Sequence, residues 1–145
     1  MGNLYIYKCK NCQSEIEYKT GGGFFTSEYF EETEKLTNQF KDEALSGKYG
    51  KIIKAIAENN DGNIEYNRNT KLFRCNECKA VNVLRAKEIS NFPYIKSEYS
   101  LSVKISVQCP ECHKGTMETI NLFEPIWCEK CQDYSSELIS FGFWD

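Results

Sequence analysis

Four C-x-x-C pairs account for all eight cysteines of the 145-residue chain. A spacing of two residues lets two thiolates approach one ion from a tight turn, and two such turns complete a tetrahedral site. The pattern therefore predicts two sites of four thiolates each, a donor set typical of zinc, and two zinc ions as cofactors. The pairs are Cys9/Cys12, Cys75/Cys78, Cys109/Cys112 and Cys128/Cys131.

The N-terminal residues lack the basic stretch and apolar run of a secretory signal, so we expect a cytoplasmic protein. Thiols stay reduced in the cytoplasm, which favours metal ligation over a disulfide framework. The apolar stretches are far shorter than the roughly 18 residues of a membrane helix. We therefore expect no membrane partner.

The intervals between the pairs predict which of them share an ion. Cys112 and Cys128 are separated by 15 residues, which fits a single four-cysteine site. The first two pairs are separated by 62 residues, which is long enough to hold a helical insertion. An interleaved arrangement that joins Cys9/Cys12 to Cys109/Cys112 is the alternative. The predicted sequential sites are Cys9, Cys12, Cys75 and Cys78 (site one), and Cys109, Cys112, Cys128 and Cys131 (site two).

Two helices are predicted between the first two pairs, near residues 27–46 and 48–58. Thr26 or Ser27 is a suitable N-cap before an acidic first turn. Tyr29, Phe40 and Ala44 belong to an apolar face that recurs at helical spacing. In the second helix, Tyr49, Ile52, Ile53, Ile56 and Ala57 form the corresponding face.

Strand patterns flank the cysteines. Residues 14–19, 72–74 and 80–84 are predicted strands, and apolar residues alternate with polar ones from Leu101 to Val107. Ile139, Phe141 and Phe143 alternate again near the C-terminus. Residues 87–99 contain Asn91-Phe92-Pro93 and are typical of a linker. The sequence thus predicts an α+β chain with domains at 1–90 and 91–145, each too small to be stable without a metal.

A strand, a C-x-x-C turn, a hairpin and a second C-x-x-C turn resemble the zinc ribbons, most clearly in Cys109-Pro110-Glu111-Cys112 with Cys128-Glu129-Lys130-Cys131. The first half, from Tyr7 to Cys12 and then Gly21 to Phe25, resembles small bacterial zinc-ribbon proteins with a helical insertion and no assigned activity. The resemblance implies two small antiparallel β zinc ribbons, the first carrying a two-helix insertion. Ribbons often have glycine after the second cysteine, where this chain has Gln13, Lys79, His113 and Gln132.

The net charge of the chain indicates which type of partner it can bind. The formal net charge is −3, and two zinc ions with eight thiolates change it to about −7. A negative chain is a poor general ligand for phosphate backbones. Nucleic-acid binding by the first ribbon, as an accessory to transcription or translation, is the alternative function. Its predicted contacts are Lys8, Lys10, Lys71, Arg74 and Lys79.

Catalytic arrangements are not expected. His113 is the one histidine of the chain, and closed four-cysteine sites leave no open position on the metal. Cys109 to His113 formally matches the haem motif C-x-x-C-H, but the zinc interpretation also explains the other six cysteines. Thiol redox chemistry is not favoured because the motifs adjoin strands rather than helix starts. Iron could occupy the same thiolate tetrahedron.

Aromatic residues are the candidates for partner contact. Phe24, Phe25, Tyr29 and Phe30 cluster after three glycines and form either a core or an exposed groove for a partner. The apolar C-terminal residues pose the same alternative, because they must pack on their own ribbon or on another chain. The sequence therefore predicts a non-enzymatic zinc protein that acts as an adaptor in protein–protein interaction.

Overall fold

The structure is a computed structural model that describes residues 2–21, 27–59, 70–90 and 102–144. In chain order its elements are β1 (Gly2–Cys9), β2 (Glu15–Gly21), α1 (Ser27–Leu45), α2 (Lys51–Asn59), β3 (Thr70–Cys75), β4 (Val81–Arg85), β5 (Glu88–Ser90), β6 (Ser102–Lys104), β7 (Val107–Gln108), β8 (Thr116–Thr119), β9 (Ile126–Cys128) and β10 (Asp133–Trp144). The α+β class is confirmed, and both predicted helices form within a few residues of their expected bounds.

The chain divides into two compact units. The first consists of Met1–Phe24, Asn69–Arg85 and Ser106–Asp145, and the second of Phe25–Arg68 and Ala86–Ile105. Each unit is assembled from segments that are distant in the sequence. This division differs from the predicted domains at 1–90 and 91–145, because β1 and β10, which are distant in the sequence, pair with each other as well as with their hairpin partners.

The first unit contains two four-stranded antiparallel sheets with the same topology. The first module has the order β2-β1-β10-β9, and the second module has the order β4-β3-β8-β7. Each module consists of two hairpins, and a C-x-x-C pair lies at the tip of each hairpin. In both modules the first strand of the earlier hairpin pairs with the second strand of the later one, as β1 with β10 and β3 with β8.

Apolar side chains from both modules form the core of this unit. Tyr5, Tyr7, Leu72 and Ile126 are buried together. The hydroxyl of Tyr7 donates to the carbonyl of Leu122, so that the polar end of this buried ring is satisfied. The partly buried residues packed around them are Tyr18, Val81, Val83, Ile120, Leu122 and Leu138. Phe73 and Met117 are buried in the same unit, and the core is still small for the eight strands of the two sheets.

The C-terminal residues pack on their own sheet. β10 pairs with β1 along the whole length of β1, from Gly2 opposite Trp144 to Cys9 opposite Ser136. Trp144 extends across Gly2 and donates its indole N–H to the carbonyl of Thr20 on β2 at 3.1 Å. A side chain at position 2 would collide with this indole. Glycine is therefore required where the tryptophan crosses the middle strand.

The second unit is built around the two helices. Phe40 and Ala44 of α1 pack against Ile53 and Ala57 of α2, which confirms those positions of the predicted apolar faces. Ile52, which was predicted to lie on the same face, is 75% exposed.

The predicted strand from Leu101 to Val107 is interrupted. Leu101 lies outside the described residues, β6 ends at Lys104, and β7 begins at Val107. Ile105 packs against the helical core of the second unit and donates its amide to the carbonyl of Lys87. Val107 pairs with Met117 in the first unit. The alternating pattern is thus divided between the two units, and β5, in the predicted linker, pairs with β6.

Glu43 is the centre of a polar network in the second unit. Its carboxylate accepts hydrogen bonds from Lys48, Tyr49 and Gln39, and Lys87 lies 3.9 Å from it. These hydrogen bonds, that of Lys48 first, lower the pKa of Glu43 to about 2. Since this value is below the ordinary 4.5, the carboxylate stabilises the fold above pH 4.5, and this stabilisation is lost as the pH falls toward 2.

We predict that Glu43→Gln lowers the free energy of opening of α1 and α2 by about 1–3 kcal/mol at pH 7, because neutral hydrogen bonds replace charged ones. Amide hydrogen exchange in the two helices measures this difference, which should shrink as the pH is lowered from 4.5 to 3. Glu58→Gln is the control, because its ion pair with Lys54 is exposed and should contribute less than about 0.5 kcal/mol. An equal effect of both variants would contradict the assignment.

Candidate metal centres

Each cysteine pair lies in a tight turn that continues the preceding strand. In three of the four turns the amide after the second cysteine donates to the carbonyl of the first cysteine: Gln13 to Cys9 at 3.0 Å, His113 to Cys109 at 3.1 Å and Gln132 to Cys128 at 2.8 Å. The turn directs both sulfurs to the tip of the hairpin. The motif thus builds half of a site from local sequence alone.

The residue after each second cysteine has a left-handed backbone conformation, where ribbons often have glycine. The φ angles are 59° at Gln13, 66° at Lys79, 55° at His113 and 53° at Gln132. Such a conformation costs a residue with a side chain of the order of 1 kcal/mol. The absence of glycine therefore does not alter the turn.

Three of these side chains hydrogen-bond to a backbone carbonyl of their own turn. The side-chain amide of Gln13 donates to the carbonyl of Lys10 at 2.8 Å, and that of Gln132 donates to the carbonyl of Glu129 at 2.6 Å. The ammonium of Lys79 donates to the carbonyl of Asn76 at 2.5 Å. In each case the acceptor is the residue after the first cysteine. The hydrogen bond of a long donor side chain offsets part of the backbone strain. Glycine would have no such strain and would not need the bond.

The four turns meet as two tetrads in a nested arrangement. The first tetrad consists of Cys9, Cys12, Cys128 and Cys131, and the second of Cys75, Cys78, Cys109 and Cys112. All eight predicted ligands are thus brought together in fours, but neither the sequential nor the interleaved grouping is the one observed. The reason is the strand pairing: β1 pairs with β10, so the first and last turns are neighbours. Likewise, β3 pairs with β8.

The spacing of the sulfurs fits zinc. In the first tetrad, Sγ of Cys9 lies 3.6 Å from Sγ of Cys131, and Sγ of Cys12 lies 3.7 Å from Sγ of Cys128. A tetrahedron with Zn–S bonds of about 2.3 Å has edges of about 3.8 Å. The distances are far too long for disulfide bonds, which are about 2.05 Å.

The second tetrad repeats this geometry. Sγ of Cys75 lies 3.7 Å from Sγ of Cys112, and Sγ of Cys78 lies 3.7 Å from Sγ of Cys109. In both tetrads, therefore, the first cysteine of one turn lies beside the second cysteine of the other. The two sites are built in the same way from the same topology.

A backbone hydrogen bond also links the two turns of each tetrad. The amide of Lys10 donates to the carbonyl of Ser135 at 2.9 Å, and the amide of Asn76 donates to the carbonyl of Thr116 at 3.1 Å. The donors follow the first cysteine of their turns, and the acceptors lie four residues after the second cysteine of theirs. Backbone contacts therefore position the turns independently of the ion.

The sulfurs of the first tetrad receive hydrogen bonds from serine hydroxyls. Ser135 Oγ lies 3.1 Å from Sγ of Cys9, and Ser14 Oγ lies 3.0 Å from Sγ of Cys12. Backbone amides hydrogen-bond to sulfurs of the second tetrad: those of Glu77 and Cys78 to Cys75, and that of Gly115 to Cys112, each at 3.4 Å. Hydrogen bonds of this kind orient thiolates and stabilise their charge.

The first tetrad contains thiols of opposite acidity. Hydrogen bonds from the amide of Cys12 and the hydroxyl of Ser135 lower the pKa of Cys9 to about 6. The sulfur of Cys12 and burial raise the pKa of Cys131 to about 12. Four sulfurs this close therefore need a cation in order to be ionised together.

The second tetrad shows the same contrast. Amides of Gly115 and Lys114 lower the pKa of Cys112 to about 6. The amide of Ala80 lowers the pKa of Cys78, but burial and the neighbouring sulfurs outweigh it and raise that pKa to about 12. Both tetrads thus have the donor set and the charge requirement of a four-cysteine zinc site.

Four of the five residues predicted for nucleic-acid contact interact with other groups of the chain. Lys8 pairs with Glu15 at 3.2 Å, and Lys10 pairs with Glu137. Arg74 lies 5.6 Å from the ring centre of Tyr134. Lys79 closes its own turn, as described above, and Lys71 is exposed. Two of the five predicted cations are therefore neutralised by adjacent carboxylates.

Of the residues predicted for partner contact, Phe24 and Phe25 lie outside the described residues. Tyr29 and Phe30 lie in α1, and their side chains are also outside the described set. Ser14 and Ser135 were not predicted from the sequence. The signal that identifies them is a hydroxyl two or four residues after the second cysteine of a turn.

Comparisons with family models, curated proteins and solved structures found no match to the chain. Within the described residues, neither helix is long and apolar enough to cross a membrane. The two four-cysteine groups are consistent with zinc ribbons.

We predict that Ser135→Ala weakens zinc binding by the first tetrad about 10-fold or more, because it removes a hydrogen bond to Cys9. Competition with a chromogenic chelator measures the affinity of each site. Ser136→Ala is the matched control, since the adjacent hydroxyl is buried without a hydrogen-bond partner. Equal weakening by both variants would show that Ser135 acts through packing instead.

We predict that Gly115→Ala impairs the second tetrad selectively. A methyl group at this position would collide with Sγ of Cys75 and with the side chain of Asn76. The zinc content should fall from two ions to one per chain, as measured by elemental analysis after gel filtration. Gly142→Ala is the control because its methyl group would enter open space. Retention of both ions by Gly115→Ala would contradict the geometry of the second tetrad.

Proposed function

We propose that this chain is a non-enzymatic, cytoplasmic zinc protein that acts as an adaptor in protein–protein interaction. Each module is a zinc ribbon, and one zinc ion holds its two hairpins together. The observation that carries the proposal is the closure of both tetrads by four sulfurs each. Catalytic zinc keeps one position for water or substrate, so ions enclosed in this way have a structural role.

The small core of the first unit supports a structural role for the metal. A zinc ion contributes on the order of 10–16 kcal/mol in small finger-like domains. The buried apolar side chains of this unit, which include Phe73 and Met117 besides the four of the core, contribute about 1.5–3 kcal/mol each. One ion in each module would therefore contribute as much as several buried side chains.

Exposed apolar side chains on β10 support a role in protein binding. Phe141 is 54% exposed, and Phe143 is 71% exposed. Their rings lie 5.5 Å apart, and Phe141 contacts the buried ring of Tyr5 at 5.6 Å. Aromatic residues are enriched at the centres of protein interfaces. This aromatic cluster (Tyr5, Phe141 and Phe143) is thus suited to a protein partner.

We predict that the purified chain contains two zinc ions and that their removal by a strong chelator unfolds the first unit. Elemental analysis gives the metal content, and amide exchange in β1, β3, β8 and β10 reports the unfolding. Readdition of zinc should restore protection. A coloured protein would show that the bound metal is iron and not zinc. Protection from amide exchange that persists after the metal is removed would contradict the scaffold role.

We predict that the zinc-loaded chain captures a protein partner from its native host and that Phe141→Ser/Phe143→Ser reduces this capture at least 10-fold. Quantitative mass spectrometry of the captured proteins measures the effect. Phe123→Ser is the control because Phe123 is 87% exposed but lies outside β10. Capture of nucleic acid alone, or of nothing reproducible, would contradict the adaptor proposal.

A further inference from the structure

The outer edge of β10 is open over most of its length. β10 contains twelve residues. On one side it pairs with β1, whereas on the other side β9 contains three residues and its register covers only Asp133 and Ser136. Among the described residues, no strand pairs with the outer side of β10 from Glu137 to Trp144.

An open strand edge exposes hydrogen-bonding groups. In an antiparallel sheet, half of the N–H and C=O groups of a strand point to each neighbour. The groups of residues 137–144 that point away from β1 therefore have no strand partner in the described part of the chain. A long, exposed, apolar edge is a template for pairing with another strand.

The side chains of this edge do not protect it. No residue from Leu138 to Trp144 is charged. Ile139, Phe141 and Phe143 are 54%, 54% and 71% exposed. By contrast, the other edge strand of the first module, β2, carries Glu15, Glu17 and Lys19, which form ion pairs at the surface. Charged side chains on β2 disfavour edge-to-edge pairing, whereas β10 carries no charged side chain after Glu137.

We propose that the outer edge of β10 pairs with the same edge of a second copy of this chain, in antiparallel orientation about a two-fold axis. The inference rests on the proposed function insofar as the aromatic cluster is a protein-binding surface, and it names the partner. An antiparallel strand edge is self-complementary because a two-fold rotation places its donors opposite its own acceptors.

The absence of charge favours a second copy over a charged peptide. A foreign strand that carries lysine or glutamate finds no opposite charge between Leu138 and Trp144, so nothing selects it. Two copies of the edge meet without like-charge repulsion. Their phenylalanines approach across the new strand pair, and aromatic cross-strand pairs stabilise such contacts. The seam joins the two sheets in the order β2-β1-β10-β10-β1-β2, and each β9 stays beside Asp133 and Ser136 of its own β10.

Sedimentation velocity of the zinc-loaded full chain tests this proposal over about 1 μM to 1 mM, a range that covers weak association. We expect the mass to rise toward twice the 16.8 kDa of one chain. The variants Phe141→Lys and Phe143→Lys should each raise the dissociation constant at least 10-fold, because lysine blocks edge pairing. Phe123→Lys, at an exposed phenylalanine outside β10, should leave it unchanged.

Amide hydrogen exchange locates the interface. The amides of residues 137–144 that point away from β1 should exchange slowly at high protein concentration and rapidly at low concentration, while amides of β2 should not change. Zinc content and far-UV circular dichroism identify any variant that fails to fold. Phe141→Ser then serves as a second variant, which removes an exposed aromatic ring from the edge without adding charge.

Three results would overturn the inference: a monomer at every concentration, a dimer that the β10 lysines do not affect, or exchange at 137–144 that is independent of concentration. A monomer that captures a different protein through residues 137–144 would overturn the second copy as partner but would uphold the adaptor proposal. A dimer that captures no other protein would uphold the second copy as partner but would contradict the adaptor proposal. The two failures are therefore distinguishable.

Discussion

The closure of each tetrad across two hairpins is the constraint on which the first unit depends. Cys12 and Cys128 are 116 positions apart in the chain, and Cys78 and Cys109 are 31 apart. Closing a loop of 116 residues instead of about 15 costs roughly 2 kcal/mol of additional chain entropy. A structural zinc ion contributes on the order of 10–16 kcal/mol. An ion in the first tetrad would therefore offset the chain entropy that is lost when Cys12 and Cys128 are joined. The shorter loop of the sequential grouping would save only about 2 kcal/mol.

Local elements of the fold could be predicted from the sequence, whereas the pairing of distant strands could not. Helices, strands and C-x-x-C turns are local, so α1, α2, β3 and β10 follow from periodicity and from the cysteine spacing. The grouping of the turns depends on which strand edges meet. The 15 residues between Cys112 and Cys128 suit a single site, but β8 pairs with β3 and β9 pairs with β10. The chain thus passes from one sheet to the other within that interval, and nothing in the spacing indicates it.

The turns show how a sequence departs from the expected residue and keeps the same geometry. Glycine adopts a positive φ without strain, and its absence would ordinarily indicate a different turn. Here Gln13 and Gln132 adopt it and donate to the carbonyl three residues earlier. Lys79 makes the equivalent bond with its ammonium group. A long side chain with a terminal donor is therefore as compatible with this position as glycine. The serines that hydrogen-bond to sulfur could not be predicted, because their role depends on the positions of the folded turns.

The two modules share one topology but differ in the length of the strand after the last cysteine turn. β8 contains four residues, and β7 pairs with two of them. β10 contains twelve residues, although the candidate metal site uses only its first residues, as far as Ser135. Its remaining residues cover β1 on one side, since Gly2–Lys8 would otherwise form the exposed edge. The extension thus transfers the open edge from β1 to β10. That edge is apolar and uncharged where β2 is charged, so the proposed pairing with a second chain would account for the residues of β10 that the metal site does not need.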